Sequence, residues 1–137
     1  MKRTAESSAS GVSRKKRNWK IWIALIFLIL PAALLAAYTW LTLHFAYSSG
    51  DRAGYVQKIS KKGWLCKTWE GELAMVALPG STPQIFPFSV RDDAIAHQIE
   101  RSAGQRVALT YEQHVGVPTS CFGETEYFVT SVRPIGR

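Results

Sequence analysis

One stretch of the chain constrains its fold more than any other: residues 21–50 contain no aspartate, glutamate, lysine or arginine. Roughly 20 helical residues, at about 1.5 Å each, cross the ~30 Å hydrocarbon core of a bilayer, and the apolar part of this stretch is longer than that. Pro31 lies near its middle, where a membrane-spanning helix tolerates proline better than a soluble helix does. A buried core helix would need a domain large enough to surround it, and the rest of the chain is too small. The stretch therefore predicts a transmembrane helix over residues 19–47.

A cleaved signal peptide is the main alternative for this stretch. The apolar region of a signal peptide is about 7–15 residues long and is followed by a small-x-small cleavage site. Here the apolar region is longer, and cleavage after Ala46 would place His44 at the −3 position, where a small residue is needed. These observations favour an uncleaved signal anchor.

Aromatic residues flank the apolar stretch on both sides. Trp19 and Trp22 lie at its start, and Tyr38 and Trp40 lie towards its end. A helix rises about 31 Å between Trp19 and Trp40, which matches the distance between the two interfacial layers where tryptophan and tyrosine are enriched. We therefore predict that these four residues lie at the membrane interfaces.

The formal net charge of +7 is concentrated ahead of the helix. Residues 1–20 contain seven basic residues and one acidic residue, whereas residues 51–137 contain ten basic and nine acidic residues. A basic chain first suggests a nucleic-acid partner, but this tail has no recognition motif, and we expect no nucleic-acid binding. Basic residues beside a span stay in the cytoplasm. We therefore predict a basic cytoplasmic tail at residues 1–18, a location in the bacterial inner membrane, and a C-terminal domain in the periplasm.

The rest of the chain predicts a small, mainly β domain at residues 54–137, joined to the helix by a linker at residues 48–53. Runs of alternating apolar residues separated by glycine- and proline-rich turns indicate strands. The predicted strands cover residues 54–60, 64–78, 84–90, 106–115 and 125–132, and a helix lies between Asp92 and Gly104. This is the element order of an OB-like five-stranded small barrel with one helix between strands 3 and 4.

The two cysteines are disulfide candidates. Cys66 and Cys121 lie in the same small domain, and cysteines in an oxidising compartment most often pair. Closing a loop of this size stabilises a fold by about 4 kcal/mol in the chain-entropy description. The alternative is two unpaired thiols, with Cys66 buried as a small apolar residue. No C-x-x-C motif is present, so the sequence gives little support to a thiol-oxidoreductase site.

The most distinctive segment surrounds the second predicted strand. Trp64 and Trp69 would lie on opposite faces of a regular strand, so we expect one of them in the core. The other, together with Lys67 and Glu70, could line a binding face, because exposed aromatic residues beside charges are typical of contact surfaces. The alternatives are an amphipathic strand whose second tryptophan packs under the helix or at the membrane interface, or a weak enzyme that uses Glu70 with Glu72. We predict no catalytic, cofactor-binding or metal-binding residue.

Three segments carry a resemblance to a known family. Residues 54–73, which end in KTWEGEL, residues 88–96 (FSVRDDAIA) and residues 123–129 (GETEYFV) resemble a widespread family of short, uncharacterised bacterial single-pass membrane proteins. Some members carry a 6-phosphogluconate dehydrogenase label. This chain has no cofactor motif and is too short for that enzyme, so the resemblance implies a label given in error and no catalytic residue.

Together these observations predict an uncharacterised, non-enzymatic membrane protein. It would present a periplasmic binding or assembly module, with the lipid bilayer and another envelope protein as partners and with no cofactor. The alternative is a small-ligand or thiol-redox carrier that uses Cys66 and Cys121.

Overall fold

The computed structural model describes residues 18–75 and 79–136. Apart from Asn18, the predicted basic tail at residues 1–18 lies outside the described residues, as does the end of the strand predicted for residues 64–78. The chain divides into two compact units, Met1–Leu34 and Leu35–Arg137.

A single long helix begins the described chain. Helix α1 (Trp19–His44) contains Pro31, and every one of its side chains is at least partly exposed. It is long and apolar enough to span a membrane, as predicted. The helix ends three residues earlier than expected, because the backbone of Tyr47 already donates a hydrogen bond to the Gln113 carbonyl oxygen (2.7 Å) next to the sheet.

The remaining elements form one closed sheet with a helix. Neighbouring strands hydrogen bond in the order β1-β2-β3-β5-β4, and β4 also pairs with β1, so the sheet closes on itself. All pairings are antiparallel except the one between β3 and β5. The predicted order of three strands, a helix and two strands is confirmed. The elements are β1 (Ser48–Lys62), β2 (Thr68–Met75), β3 (Ile85–Val90), α2 (Asp93–Arg101), β4 (Arg106–Gln113) and β5 (Tyr127–Pro134).

The first strand is longer than predicted. Residues 48–53, expected to be a linker, form the first part of β1 and pair with β4, whereas the second part pairs with β2. The linker prediction is wrong. Serine, glycine and aspartate disfavour a strand by local propensity, but the hydrogen bonds to β4 stabilise a strand here. The two pairings overlap at Gly54 and Tyr55, and any Cβ atom at Gly54 would clash with the Ala74 carbonyl group.

The second strand begins later than predicted. Residues 63–67 form a turn, and β2 starts at Thr68. The turn depends on Gly63, which has a φ of +120° and packs against the backbone of Cys66. The expectation that Trp64 and Trp69 lie on opposite faces of one strand is therefore wrong, since Trp64 lies in the turn with 96% of its surface exposed.

The core lies inside the closed sheet and under α2. Alternate residues of the strands point inwards, as the period of two requires. Asp92 caps α2, with its Oδ1 accepting hydrogen bonds from the backbone N–H groups of Ala94 (2.7 Å) and Ile95 (3.4 Å). The buried apolar residues are Val56, Leu73, Phe86, Phe88, Val90, Ala96, Ile99, Val107, Leu109, Phe128, Val129 and Val132.

A glycine-to-alanine pair tests the packing of this core. Gly71 pairs with Phe88 across β2 and β3, and a Cβ at Gly71 would overlap the Phe88 ring. We expect Gly71→Ala to lower the free energy of unfolding by about 1–3 kcal/mol, the usual cost of overpacking. The measurement is urea unfolding of the full chain in detergent micelles, followed by circular dichroism.

Gly136→Ala is the control, because a Cβ there would meet no heavy atom of the described residues within 4 Å. Equal stability of the two variants would contradict the tight fit between Gly71 and Phe88.

Candidate functional site

Trp69 is the centre of a polar cluster at the start of β2. It pairs with Lys61 of β1 on one side and with Val90 of β3 on the other. Its indole Nε1–H donates a 2.5 Å hydrogen bond to Oδ1 of Asp93. The Nζ atom of Lys61 lies 5.3 Å from the centre of the indole ring, and the ring of His97 meets the indole edge to face at 5.2 Å. The half-buried indole is therefore fixed by contacts from three elements.

Asp93 accepts two hydrogen bonds at the first position of α2. Besides the bond from Trp69, its Oδ1 accepts one from Lys61 Nζ at 3.2 Å. Both stabilise the charged carboxylate, so Trp69 first and Lys61 second hold the pKa of Asp93 below its ordinary value. A lowered folded-state pKa contributes stability above the pKa of an unfolded aspartate, and this contribution is lost as the pH falls through the lowered value.

Two neighbouring acids, Asp92 and Asp93, lie at the start of α2. Asp92 does cap the helix, whereas the side chain of Asp93 turns towards Trp69. A single side chain suffices to cap a helix, so the second acid of such a pair is a candidate for another partner. The partner of Asp93 is Trp69, which lies 24 positions away in the sequence. This contact could not be predicted from the sequence.

A cleft of about 240 Å³ opens beside this cluster. Trp69, Lys67, Arg91 and Cys121 are among the residues that line it, together with the Lys61–Asp93 pair. Within residues 18–75 and 79–136, neither Lys67 nor Arg91 has a hydrogen-bonding or ion-pair partner for its side chain. Because the Lys61–Asp93 pair is neutral overall, the cleft carries a net positive charge that is free to meet an anionic group.

The structure separates the four residues of the predicted binding face. Lys67 and Trp69 line the cleft, whereas Trp64 and Glu70 do not. Trp64 projects from the turn before β2, and Glu70 is buried on the other face of that strand. Binding at this face remains a prediction.

Glu70 holds a loop against the outside of the sheet. The residue is 5% exposed; its Oε2 accepts a 2.6 Å hydrogen bond from the Ser89 hydroxyl, and its Oε1 accepts a 3.0 Å bond from the Glu124 backbone N–H. The Ser89 hydroxyl oxygen in turn accepts a bond from the backbone N–H of Thr125 (3.1 Å). Glu72, two residues along, is exposed. Both oxygens of the Glu70 carboxylate are thus occupied in fastening the segment ahead of β5 to β2 and β3.

Cys66 and Cys121 form a disulfide, as one of the two sequence interpretations proposed. The bond joins the turn at residues 63–67 to the connection between β4 and β5, residues 114–126. Cys121 is exposed and lines the cleft. The disulfide and the Glu70 hydrogen bonds therefore fasten the same connection at two points.

The other end of the β4–β5 connection meets the last turns of α1. His114 is 3% exposed, and its Nδ1 lies 2.9 Å from the Thr42 carbonyl oxygen. Because a carbonyl oxygen only accepts, Nδ1 carries the proton and donates to one of the carbonyl groups that a helix leaves unpaired at its C-terminus. The Tyr38 hydroxyl donates to the Gly116 carbonyl oxygen at 3.1 Å. The sequence reading missed both contacts, which join residues more than 70 positions apart.

The predicted membrane-interface residues lie on the exposed surface of α1. Trp19, Trp22, Tyr38 and Trp40 each expose half or more of their surface. Their contact with lipid remains a prediction. Among the described residues, no three histidine, cysteine, aspartate or glutamate side chains are grouped so that they could hold a metal ion.

One comparison with known proteins gives a match. The model of a family described as a domain of unknown function, DUF8785, matches residues 46–136, which include every strand of the closed sheet and α2. No curated protein matches the chain.

Removing the indole N–H tests the cluster around Asp93. We expect Trp69→Phe to raise the pKa of Asp93 towards its ordinary value, because the variant loses the hydrogen bond that contributes most to the lowering. The measurement is a carbon-13 NMR titration of the Asp93 carboxyl group in the full chain in detergent micelles. Trp64→Phe is the matched control and should leave this pKa unchanged, since Trp64 projects into solvent. An identical Asp93 pKa in the native chain and in Trp69→Phe would contradict this assignment.

Proposed function

The chain belongs to the DUF8785 family, domains of unknown function, and we propose that it is a single-pass protein of the bacterial inner membrane whose closed sheet is a periplasmic binding or assembly module without enzymatic activity. The length and composition of α1 support the anchor. The excess of basic residues at 1–20 supports a cytoplasmic N-terminus. The disulfide supports an oxidising compartment for the C-terminal domain.

The closed sheet is an OB-like barrel. Support comes from its five strands, from a first strand that pairs with both β2 and β4, from the parallel contact of β3 with β5, and from the position of α2 between β3 and β4. OB folds bind ligands on the face of strands 2 and 3 and at the loops that follow strands 1 and 4. In this chain the corresponding loops are joined by the disulfide. The fold supports a place for a ligand and does not specify the ligand.

The cleft beside Trp69 is the binding site in this proposal. One observation supports it: Lys67 and Arg91 line the cleft, and within the described residues neither side chain has a hydrogen-bonding or ion-pair partner. Guanidinium and ammonium groups bind carboxylates through charge-assisted hydrogen bonds. The volume of about 240 Å³ is below the range of roughly 300–1,000 Å³ typical of small-molecule pockets. It suits one or two side chains of a larger partner. The module therefore binds an acidic segment of another envelope protein.

Site-specific crosslinking in cells tests this site. A photoreactive phenylalanine derivative replaces Phe122, which lines the cleft, in the full chain. Both cations stay in place, and we expect a discrete adduct with a partner protein. Adding Arg91→Glu should reduce the adduct severalfold, because the reversed charge repels an acidic segment.

The matched control carries the same photoreactive residue at Gln105, which is exposed and outside the cleft. An adduct that survives Arg91→Glu undiminished, or that forms equally from position 105, would rule out the cleft as the partner site.

A thiol-redox carrier is the second candidate function, and the exposure of Cys121 at the cleft favours it. The two roles predict different thiol states in cells. A structural disulfide stays fully oxidised, whereas a carrier cycles and yields a fraction of molecules in which both cysteines react with an alkylating reagent. We expect full oxidation, measured by alkylation and mass spectrometry after rapid acid quenching. Cys66→Ser combined with Cys121→Ser gives the background, and a reproducible reduced fraction would favour the carrier.

A further inference from the structure

The start of the β4–β5 connection runs beside the last turns of α1. His114 contacts Thr42, and two residues later Gly116 contacts Tyr38. From Thr42 to Tyr38 the helix rises by about 6 Å, so the connection runs back along α1 from its C-terminal end. Gly116 has a φ of +78°, and a Cβ there would lie 3.0 Å from the Tyr38 hydroxyl oxygen. Glycine thus permits both the turn and the close approach to the helix.

Tyr38 and Trp40 mark the level on α1 at which this contact occurs. Both belong to the aromatic residues that we assign to the outer membrane interface, where tyrosine and tryptophan lie among lipid headgroups. The Gly116 carbonyl group, which accepts a hydrogen bond from the Tyr38 hydroxyl, lies within one tyrosine side-chain length of this part of the helix. From Tyr38 to His44 the helix rises by about 9 Å, whereas one headgroup layer is about 5–8 Å thick. The contact with Gly116 is therefore within reach of that layer.

The composition of the connection suits this position. Residues 113–123 contain no aspartate, glutamate, lysine or arginine. Val115 exposes 47% of its surface, Pro118 is exposed and Val117 is half-buried. An irregular backbone is tolerated in the hydrated headgroup layer, although not in contact with lipid inside the hydrocarbon core. An uncharged, partly apolar turn held against an interfacial tyrosine is thus compatible with the headgroup layer.

We propose that residues 115–118 lie in the outer headgroup layer of the membrane, so that the domain contacts lipid through this turn as well as through its anchor. This inference rests on the proposal that α1 spans a bilayer. The partner is the lipid headgroup region itself, and the contact with Tyr38 sets the depth of the turn.

Spin-label depth measurements on the full chain test the proposal. Single cysteines replace Val115, Gln105 or Leu30, and each is labelled with a nitroxide under non-reducing conditions that keep the native disulfide intact. The labelled chains are placed in nanodiscs of phosphatidylcholine and phosphatidylglycerol. Electron paramagnetic resonance then compares collisions with oxygen, which concentrates in lipid, and with a water-soluble nickel chelate. Leu30 reports on the helix and Gln105 on the exposed turn after α2.

We expect the ratio of oxygen to nickel accessibility to be highest at Leu30→Cys, severalfold lower at Val115→Cys and lowest at Gln105→Cys. Equal oxygen-to-nickel ratios at positions 115 and 105, with a lipid-exposed label at position 30, would contradict the contact of residues 115–118 with the membrane. They would leave the assignment of α1 as the anchor intact. A water-exposed label at position 30 would overturn the anchor itself. If Val115→Cys does not fold, as judged by near-ultraviolet circular dichroism, Pro118→Cys provides the same comparison.

The hydroxyl of Tyr38 provides a second, independent variant. In a chain that carries the label at position 115, Tyr38→Phe removes the hydrogen bond to Gly116 and keeps the ring. We expect the label to shift towards the Gln105 ratio and to gain mobility. An unchanged ratio and unchanged mobility would contradict the role of Tyr38 in setting the depth of the turn.

Discussion

Closure of the sheet depends on the backbone contact at Gly54. There β1 pairs with β4 and β2 at once, and the absence of a side chain lets its backbone approach the Ala74 carbonyl. A strand that serves two partners leaves neither side of the sheet open, which removes the unpaired edges that promote aggregation. Closure also brings the ends of three strands and the start of α2 together at Trp69. The cleft is a consequence of this geometry, since no single element contains it.

The long connection between β4 and β5 is held in three chemically different ways. Buried hydrogen bonds from Ser89 and the Glu124 backbone reach Glu70, a covalent bond joins Cys121 to Cys66, and His114 pairs with a helix carbonyl. A buried carboxylate is costly unless its oxygens are satisfied. Here the Ser89 hydroxyl of β3 satisfies one Glu70 oxygen, and the Glu124 backbone of the connection satisfies the other. The outer face of the sheet is therefore stable only while this connection stays in position, so loop and sheet support each other.

The sequence predicts the elements of this fold better than the contacts between them. Apolar alternation and turn residues predict the order of strands and α2, because both depend on local geometry. They miss residues 48–53, whose strand depends on pairing with β4, and they wrongly extend the second strand to Trp64. The disulfide is one of the two interpretations that the cysteine count and the predicted oxidising compartment allow. The partners of Asp93 and His114 could not be predicted, because each lies on another element far away in the sequence.

The single parallel contact, Ser89 with Phe128, has a consequence for the order of assembly. Strand β5 pairs with β3 and β4 at once, and it is the last strand of the described chain. Until β5 is available, β3 and β4 each present an open edge. The Glu70 carboxylate also lacks its hydrogen bond from the backbone N–H of Glu124, which lies just before β5. Synthesis from the N-terminus therefore delivers last the strand that completes the sheet. This domain therefore cannot close its sheet before the chain through Pro134 is available.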